Sequence, residues 1–438
     1  MRKTTCVLAT VAVLSGLTWA DWPQFMGPNR DGVSTETVQL ADAWPEDGPK
    51  VLWTIRDGLG RGYAGPVVRD GEVYLLDRVG DQQDVLRCID LATGKPLWTF
   101  SYVAPPEAKD DPKAGRYKGN YNGSRNMPAV DATHVYILGP FGDLNCVSRK
   151  THESVWSTNL IREYDADLGN WGLCQSPVLY RGTVIAAPLS KKAGIVAFDK
   201  TTGKEVWRSE RLGGIAWTSA AVSTVDGVDQ VVMLYNRDAP RLTGLDAATG
   251  RKLWEHRGWR CANPVASHTD CGDGRFFITG GYKAGCVMVQ VTRDGDDWKV
   301  QERFKSDACG AQAAKPVFYK DHLYVNSNDF LTEATAGNGV MCMDLAGNVM
   351  WKTSNDNREE IGSIVIADGK IFSLLSEKGV LRLLRATPDG CRELASAGVT
   401  RGINIWGPMA ISDGKLLIRN RGSLICLDVS AEANPADR

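Results

Sequence analysis

One phrase returns along this chain at a nearly constant interval and leaves few folds open to it. It reads Cys88-Ile-Asp-Leu-Ala-Thr-Gly-Lys-Pro-Leu-Trp98, Ala197-Phe-Asp-Lys-Thr-Thr-Gly-Lys-Glu-Val-Trp207 and Gly244-Leu-Asp-Ala-Ala-Thr-Gly-Arg-Lys-Leu-Trp254, with degenerate copies at Cys146–Trp156 and Cys342–Trp351. Each copy is a β-type run, a turn and a second run that ends in tryptophan. Asp and Thr close the turn with side-chain hydrogen bonds, and Gly takes the positive-φ position. The indole then has a large apolar surface to bury against a neighbouring sheet.

A second phrase precedes the first: a short apolar strand, a polar or Asp-Gly turn, and another strand. Pro66–Leu76, Pro177–Ile185, Pro316–Val325, Ile364–Leu374 and Met409–Ile418 follow this plan. Anchors at Pro66, Pro128, Pro177, Val222, Pro264, Pro316, Ile364 and Met409 define eight units with a mean period of about 49 residues. Four strands in each such unit make a propeller blade. The sequence therefore predicts an all-β, eight-bladed β-propeller of four-stranded antiparallel blades over residues 50–429. An extended segment, 21–49, precedes it and a polar tail, 430–438, follows.

The ends of the repeat array are complementary. The last unit lacks its tryptophan-ended strand, and that strand occurs ahead of the first unit as Lys50-Val-Leu-Trp-Thr-Ile55. Pairing the two would close the ring and hide two sheet edges.

Composition narrows the function classes. The net charge of −1 comes from acids and bases spread along the chain, without a basic run, which argues against nucleic acid as a partner. Arg2 and Lys3, the apolar run Cys6–Leu17 and the small Ala20 have the layout of a secretory leader cleaved after Ala20. A mature chain beginning at Asp21 would be periplasmic or secreted, with no lipid anchor and no membrane span. Export permits disulfides. Cys88, Cys146, Cys342 and Cys426 nevertheless share one repeat slot with Ala197 and Gly244, so that slot asks for a small buried side chain. Cys174, Cys261, Cys271 and Cys309 fall in loops, where pairing stays open.

The phrase Asp-x-x-Thr-Gly-x-x-x-Trp resembles the pyrroloquinoline-quinone-like propeller repeat over roughly Lys50–Asp428. The stretch Asp21-Trp-Pro-Gln-Phe-Met-Gly-Pro-Asn-Arg-Asp-Gly-Val33 is similar to the start of many secreted bacterial members of that group. The resemblance implies relatives among quinoprotein dehydrogenases and among propeller lipoproteins of outer-membrane β-barrel assembly. This chain departs from both: it has no adjacent cysteine pair, and no cysteine follows the leader at its cleavage site. The calcium-binding Glu, Asn and Asp of the dehydrogenases cannot be matched to positions here.

In a propeller, the segments that enter the innermost strands ring the mouth of the central channel. Tyr63, Tyr121, Arg125, Trp171, Gln175, Trp217, Trp259, Asn263, Gln312 and Trp406 fall in those segments. Tyr117, Asn122 and Arg401 share the setting. Aromatic faces with amide and guanidinium groups suit sugars or planar ligands, and equally suit the sealing of seams between blades. Pro105–Gly123, in the longest anchor spacing, lies on the same face. Glu359 and Glu360 are the paired carboxylates nearest the channel, whereas Asp294-Gly-Asp-Asp297 reads as a hairpin turn. The five histidines lack metal-ligand spacing.

The sequence therefore favours an exported binding module whose channel-mouth face takes an envelope protein or a carbohydrate. The alternative is an enzyme, either a quinone-dependent oxidoreductase or a polysaccharide-degrading enzyme. No metal and no cofactor is expected, since pyrroloquinoline quinone with calcium lacks the support of a vicinal cysteine pair.

Overall fold

The computed structural model describes residues 20–434, apart from 81, 106–122, 170, 329–338, 354–360 and 402–403. Nearly all of the expected leader and of the Pro105–Gly123 stretch, together with Tyr117, Tyr121, Asn122, Glu359 and Glu360, lies outside the described residues. The chain forms eight four-stranded antiparallel sheets. Numbered along the chain, their innermost strands are Val67–Arg69, Ala129–Val130, Val178–Tyr180, Ala221–Val225, Thr269–Asp270, Val317–Tyr319, Ile364–Ala367 and Ala410–Ser412. Seven of these begin within one residue of the anchors read from sequence. The fifth does not. Its strand starts at Thr269 rather than at Pro264, because the Pro264 carbonyl instead accepts a hydrogen bond from the Trp217 backbone N–H of the fourth blade.

The ring closes as the complementary ends require. Lys50–Ile55 pairs antiparallel with Leu424–Asp428, from Lys50 opposite Asp428 to Ile55 opposite Leu424, as the outermost strand of the eighth blade. One blade thus holds both ends of the repeat array, and the ring keeps no open seam.

The tryptophan phrase explains how neighbouring blades lock. Cys88 faces Trp98, Cys146 faces Trp156, Ala197 faces Trp207, Gly244 faces Trp254, Cys342 faces Trp351 and Cys426 faces Trp53. A small residue at that slot leaves room for the indole. The indole then reaches the next blade: Trp53 donates to the Leu91 carbonyl at 2.9 Å and Trp156 to that of Lys200 at 2.9 Å. The turn glycine of the next blade sits under the ring. A Cβ on Gly94 would lie 2.6 Å from Trp53 Cδ2, and one on Gly203 would lie 2.5 Å from Trp156 Cδ2. In the second blade His152 holds the glycine position at φ +63° and stacks on Trp98, with ring centroids 4.6 Å apart. Phe304 replaces tryptophan in the fifth blade, whose outer hairpin turns at Asp294 and Asp297.

All ten cysteines from Cys88 to Cys426 are free thiols, so the loop cysteines form no disulfide. The one helix among the described residues is a single turn, Leu160–Tyr164, capped by the Asn159 side chain. No described helix is long and apolar enough to cross a membrane.

Candidate ligand site at the channel mouth

Half of the channel mouth is lined by one continuous run of rings and guanidinium groups. Trp406, entering the eighth blade, stacks on Tyr63, entering the first, with centroids 5.3 Å apart and planes 24° apart. The Arg125 guanidinium, entering the second blade, lies 4.8 Å from the Tyr63 ring centroid and donates at 3.2 Å to the carbonyl of Trp171. Trp171, entering the third blade, meets Trp217 of the fourth, with centroids 4.3 Å apart. Five blades therefore contribute in order to one arc. Their side chains converge because the segments entering successive innermost strands are themselves stitched together. Tyr63 N–H and Ala64 N–H donate to the Ser124 carbonyl, Met127 N–H donates to Ser176 Oγ, and Ser176 N–H donates to Ser219 Oγ.

Within that arc the structure separates two roles. Tyr63, Gln175 and Trp217 are buried, while Arg125, Trp171 and Trp406 remain partly open. Gln175 turns inward, pairing its amide with the backbone N–H and carbonyl of Ala187. Trp259 is only 1% exposed and donates to the Ala284 carbonyl at 2.8 Å, so its ring packs within the blades and is not offered to a ligand. Gln312 stands across the ring, bonded to Tyr282 Oη and Asn328 Oδ1, and Asn263 is half-buried beside the fifth blade. Tyr121 lies outside the described residues. Burial pushes the Cys174 thiol up to about 11 in spite of Arg125 nearby, which leaves it protonated and unreactive at neutral pH.

The structure adds two features that the sequence did not reveal. Arg421 comes from the turn between the second and third strands of the eighth blade, and its guanidinium lies 5.9 Å from the Tyr63 centroid. Its Nε is buried without a hydrogen-bond partner among the described residues. Those turns share a face with the segments entering the innermost strands, and that is the signal that could have found it.

The other feature is the floor. Residues 22–34 cross the channel: Trp22 pairs with Val68 of the first blade, and Pro23 accepts from Val130 N–H of the second. Arg30 donates to the Pro177 carbonyl at the third blade, Lys315 of the sixth donates to the Arg30 carbonyl, and Val33 bridges Ile366 of the seventh. The ends of the segment meet strand interiors, and Glu36 caps the Gly414 N–H in a turn on the far face. Arg30 instead meets residues that enter strands. The segment therefore rises from the far face to an apex at 28–31 and returns. Asn29 is exposed at that apex, with Gly27 and Arg30 buried on either side.

Among the described residues no group of three His, Cys, Asp or Glu could hold a metal ion. A groove of about 840 Å³ opens between the sixth and seventh blades, lined in part by Tyr319, Arg385, Asp389 and Cys391. It lies away from the aromatic arc.

Fold and mouth together define a closed tryptophan-docked propeller of the pyrroloquinoline-quinone-like repeat type. The family model described as outer membrane protein assembly factor BamB matches residues 81–353 and 213–433, and the chain belongs to that family. Among curated proteins, the lupanine 17-hydroxylase (cytochrome c) of a Pseudomonas species is 33% identical over 164 residues, 35% of this chain and 21% of the relative. The dehydrogenase subunit of the quinone alcohol dehydrogenase of Komagataeibacter europaeus is 29% identical over 167 residues, 36% of this chain and 21% of the relative. The matches thus span about a fifth of these longer proteins. Two solved structures share the fold. BamB of Moraxella catarrhalis aligns with a TM-score of 0.59 at 14% identity, covering 86% of this chain and 97% of BamB. The quinohemoprotein alcohol dehydrogenase of Comamonas testosteroni aligns with a TM-score of 0.62 at 15% identity, covering 95% of this chain and 81% of the enzyme.

These matches correct the expectation that no cofactor is involved. Relatives that share the repeat are quinone and quinohemoprotein dehydrogenases. The absence of a vicinal cysteine pair was too narrow a criterion, since it concerns one loop. Rings and cations that could recognise a flat anion are spread over separate blades.

Proposed function

We propose that the channel mouth binds a flat, anionic small molecule, a quinone cofactor of the carboxylated type being the best fit. The observation that supports this is the arc Trp406–Tyr63–Arg125–Trp171–Trp217, with Arg421 behind Tyr63. Partly open indoles offer stacking faces, and guanidinium groups pair with carboxylates in two-pronged hydrogen bonds. Pyrroloquinoline quinone is planar and carries several carboxylates, so Trp171 and Trp406 would stack on it while Arg125 and Arg421 hold its charge. Such a quinone supplies an electron-pair acceptor when bound. The described residues offer no carboxylate cluster for an accompanying divalent ion, and no ion is assigned. Export, expected from residues 1–20, would place the site in the periplasm or outside the cell. Membership of a family described by an assembly factor favours a second reading, in which the same face docks an envelope protein.

A thermal-shift titration of the purified protein separates these readings. Pyrroloquinoline quinone should raise the melting temperature by mass action, and Arg125→Ala should blunt the rise. A response to soluble glycans alone would move the site to carbohydrate. Silence to both would overturn the small-molecule reading in favour of a protein partner.

A further inference from the structure

The groove between the sixth and seventh blades lies where the seam lacks the ion pair found at comparable seams. In the turn before the outermost strand, one backbone N–H donates back to the first turn of its own blade. Arg149, Lys200, Ala247 and Ala386 hold that position in the second, third, fourth and seventh blades, donating to Thr133, Gly182, Asp229 and Gly369. Arg149 reaches across to the first blade, to Asp70 at 2.8 Å and Glu72 at 2.7 Å. Lys200 reaches Asp131 of the second blade at 3.0 Å. Ala247 cannot cross, but there Asp229 meets Arg181 of the third blade at 3.1 Å. At the seventh blade both devices are missing: Ala386 is short, Gly369 stands where the fourth blade has Asp229, and the sixth blade presents Lys320. Lys320 is exposed and pairs with no acid among the described residues; its ammonium lies 5.1 Å from the Tyr319 ring centroid. The seventh-blade turn, closed by Leu384 opposite Glu393, is also two residues longer than those closed at Ile89, Phe198 and Leu245. It brings into the lining Arg392, a second exposed cation without an acid partner among the described residues. The other lining charges are accounted for. Arg385 pairs with Asp42 at 3.1 Å and Asp368 with Lys370 at 2.7 Å, while Asp389 accepts from Thr387 Oγ1 at 2.8 Å and meets no cation.

We propose that this groove binds an acidic sugar. Its volume of about 840 Å³ is that of a small-molecule site. The sugar carboxylate would accept charge-assisted hydrogen bonds from Lys320 Nζ and the Arg392 guanidinium, and its hydroxyls would donate to Asp389. A Cβ on Gly369 or Gly390 would meet nothing within 4 Å, so bare backbone borders the space the ring would fill. A neutral sugar would leave both cations unmatched, and a simple inorganic anion would set its own charge against Asp389. The groove lies away from the aromatic arc, so occupancy here does not depend on what binds at the mouth.

Cys391 is exposed and lines the groove, so its alkylation reports occupancy. Whole protein is treated with uncharged iodoacetamide at constant ionic strength, and labelling is read at the Cys391 peptide by mass spectrometry. Galacturonate or glucuronate should slow that labelling several-fold, whereas galactose and inorganic phosphate should leave it unchanged. Protection should be lost in Lys320→Gln and in Arg392→Gln. Labelling unslowed by either uronate, equal protection by galactose or phosphate, or full protection in both variants would overturn the proposal. The comparison of uronates with galactose and phosphate uses the unaltered protein, so it decides the matter even if a variant does not fold.

Discussion

Trp207 of the third blade donates its indole N–H to the carbonyl of Ala247 in the fourth, at 3.2 Å. The ring is 8% exposed and belongs to the apolar cluster shared by the two blades, with Ala197 opposite it on its own sheet. Replacing it by alanine removes that buried surface and opens a cavity at a seam which cannot collapse without moving a blade. Trp207→Ala should therefore cost about 3–5 kcal/mol, read as a lower midpoint in denaturant. An unchanged midpoint would mean that the repeat tryptophans do not hold the blades together.

The turn glycines give a paired test of the same seam. Gly94 has φ +71°, and a Cβ there would meet the Trp53 ring at 2.6 Å, whereas Gly58 has φ +79° with nothing within 4 Å. Gly58→Ala carries only the left-handed backbone penalty of about 1–2 kcal/mol. Gly94→Ala adds overpacking of about 1–3 kcal/mol on top of the same penalty. Equal losses of stability in the two variants would show that the indole yields freely.

Most of the fold was legible because each blade repeats the same packing problem. A small residue opposite Trp98, Trp156 or Trp207, and a positive-φ turn beneath each ring, are local demands that leave marks at fixed spacing. Thr269 was missed because Pro264 resembled the prolines that stand directly before other innermost strands, such as Pro66 and Pro177, although here the strand begins only at Thr269. The mouth was half legible. Counting back from the anchors found Trp171 and Arg125, but could not tell the partly open Trp171 from the buried Trp259. Burial at a loop depends on which neighbouring blade covers it, and no spacing within one repeat encodes that. Arg30 and Lys315 were invisible as neighbours because 285 residues separate them.

Asp131 ties the second blade to the third and should leave a signature at low pH. Burial alone would raise its pKa, but the Thr133 and His134 backbone N–H groups and the Lys200 ammonium at 3.0 Å outweigh it and hold the carboxyl down to about 2. A folded-state pKa below the unfolded value means that ionised Asp131 stabilises the fold. Its contribution is fully present above about pH 4 and is lost as pH falls toward 2. The carboxylate is partly solvated, so the contribution is at most about 2 kcal/mol. Asp131→Asn should lower stability at pH 7 and flatten the fall in stability between pH 4 and 2, as measured by urea midpoints. Parallel pH profiles for the two proteins would assign the acid sensitivity to other carboxylates.

Arg125 makes the sharpest claim about the mouth, because its guanidinium touches both halves of the aromatic arc. It lies against the Tyr63 ring and donates to the Trp171 carbonyl, yet it remains partly open to solvent. A carboxylate placed there would gain a charge-assisted hydrogen bond, a contribution of about 1.5–3 kcal/mol. Arg125→Ala should thus weaken pyrroloquinoline quinone binding by roughly ten- to a hundred-fold, followed by quenching of tryptophan fluorescence. Arg125→Lys keeps the charge but loses the planar fork, and should fall between the two. Trp171→Ala should weaken binding in both low and high salt, since stacking is not screened, whereas the loss in Arg125→Ala should shrink as salt rises. If Trp171→Ala and Arg125→Ala bind the quinone as the unaltered protein does, the arc is a seam between blades and the ligand sits elsewhere.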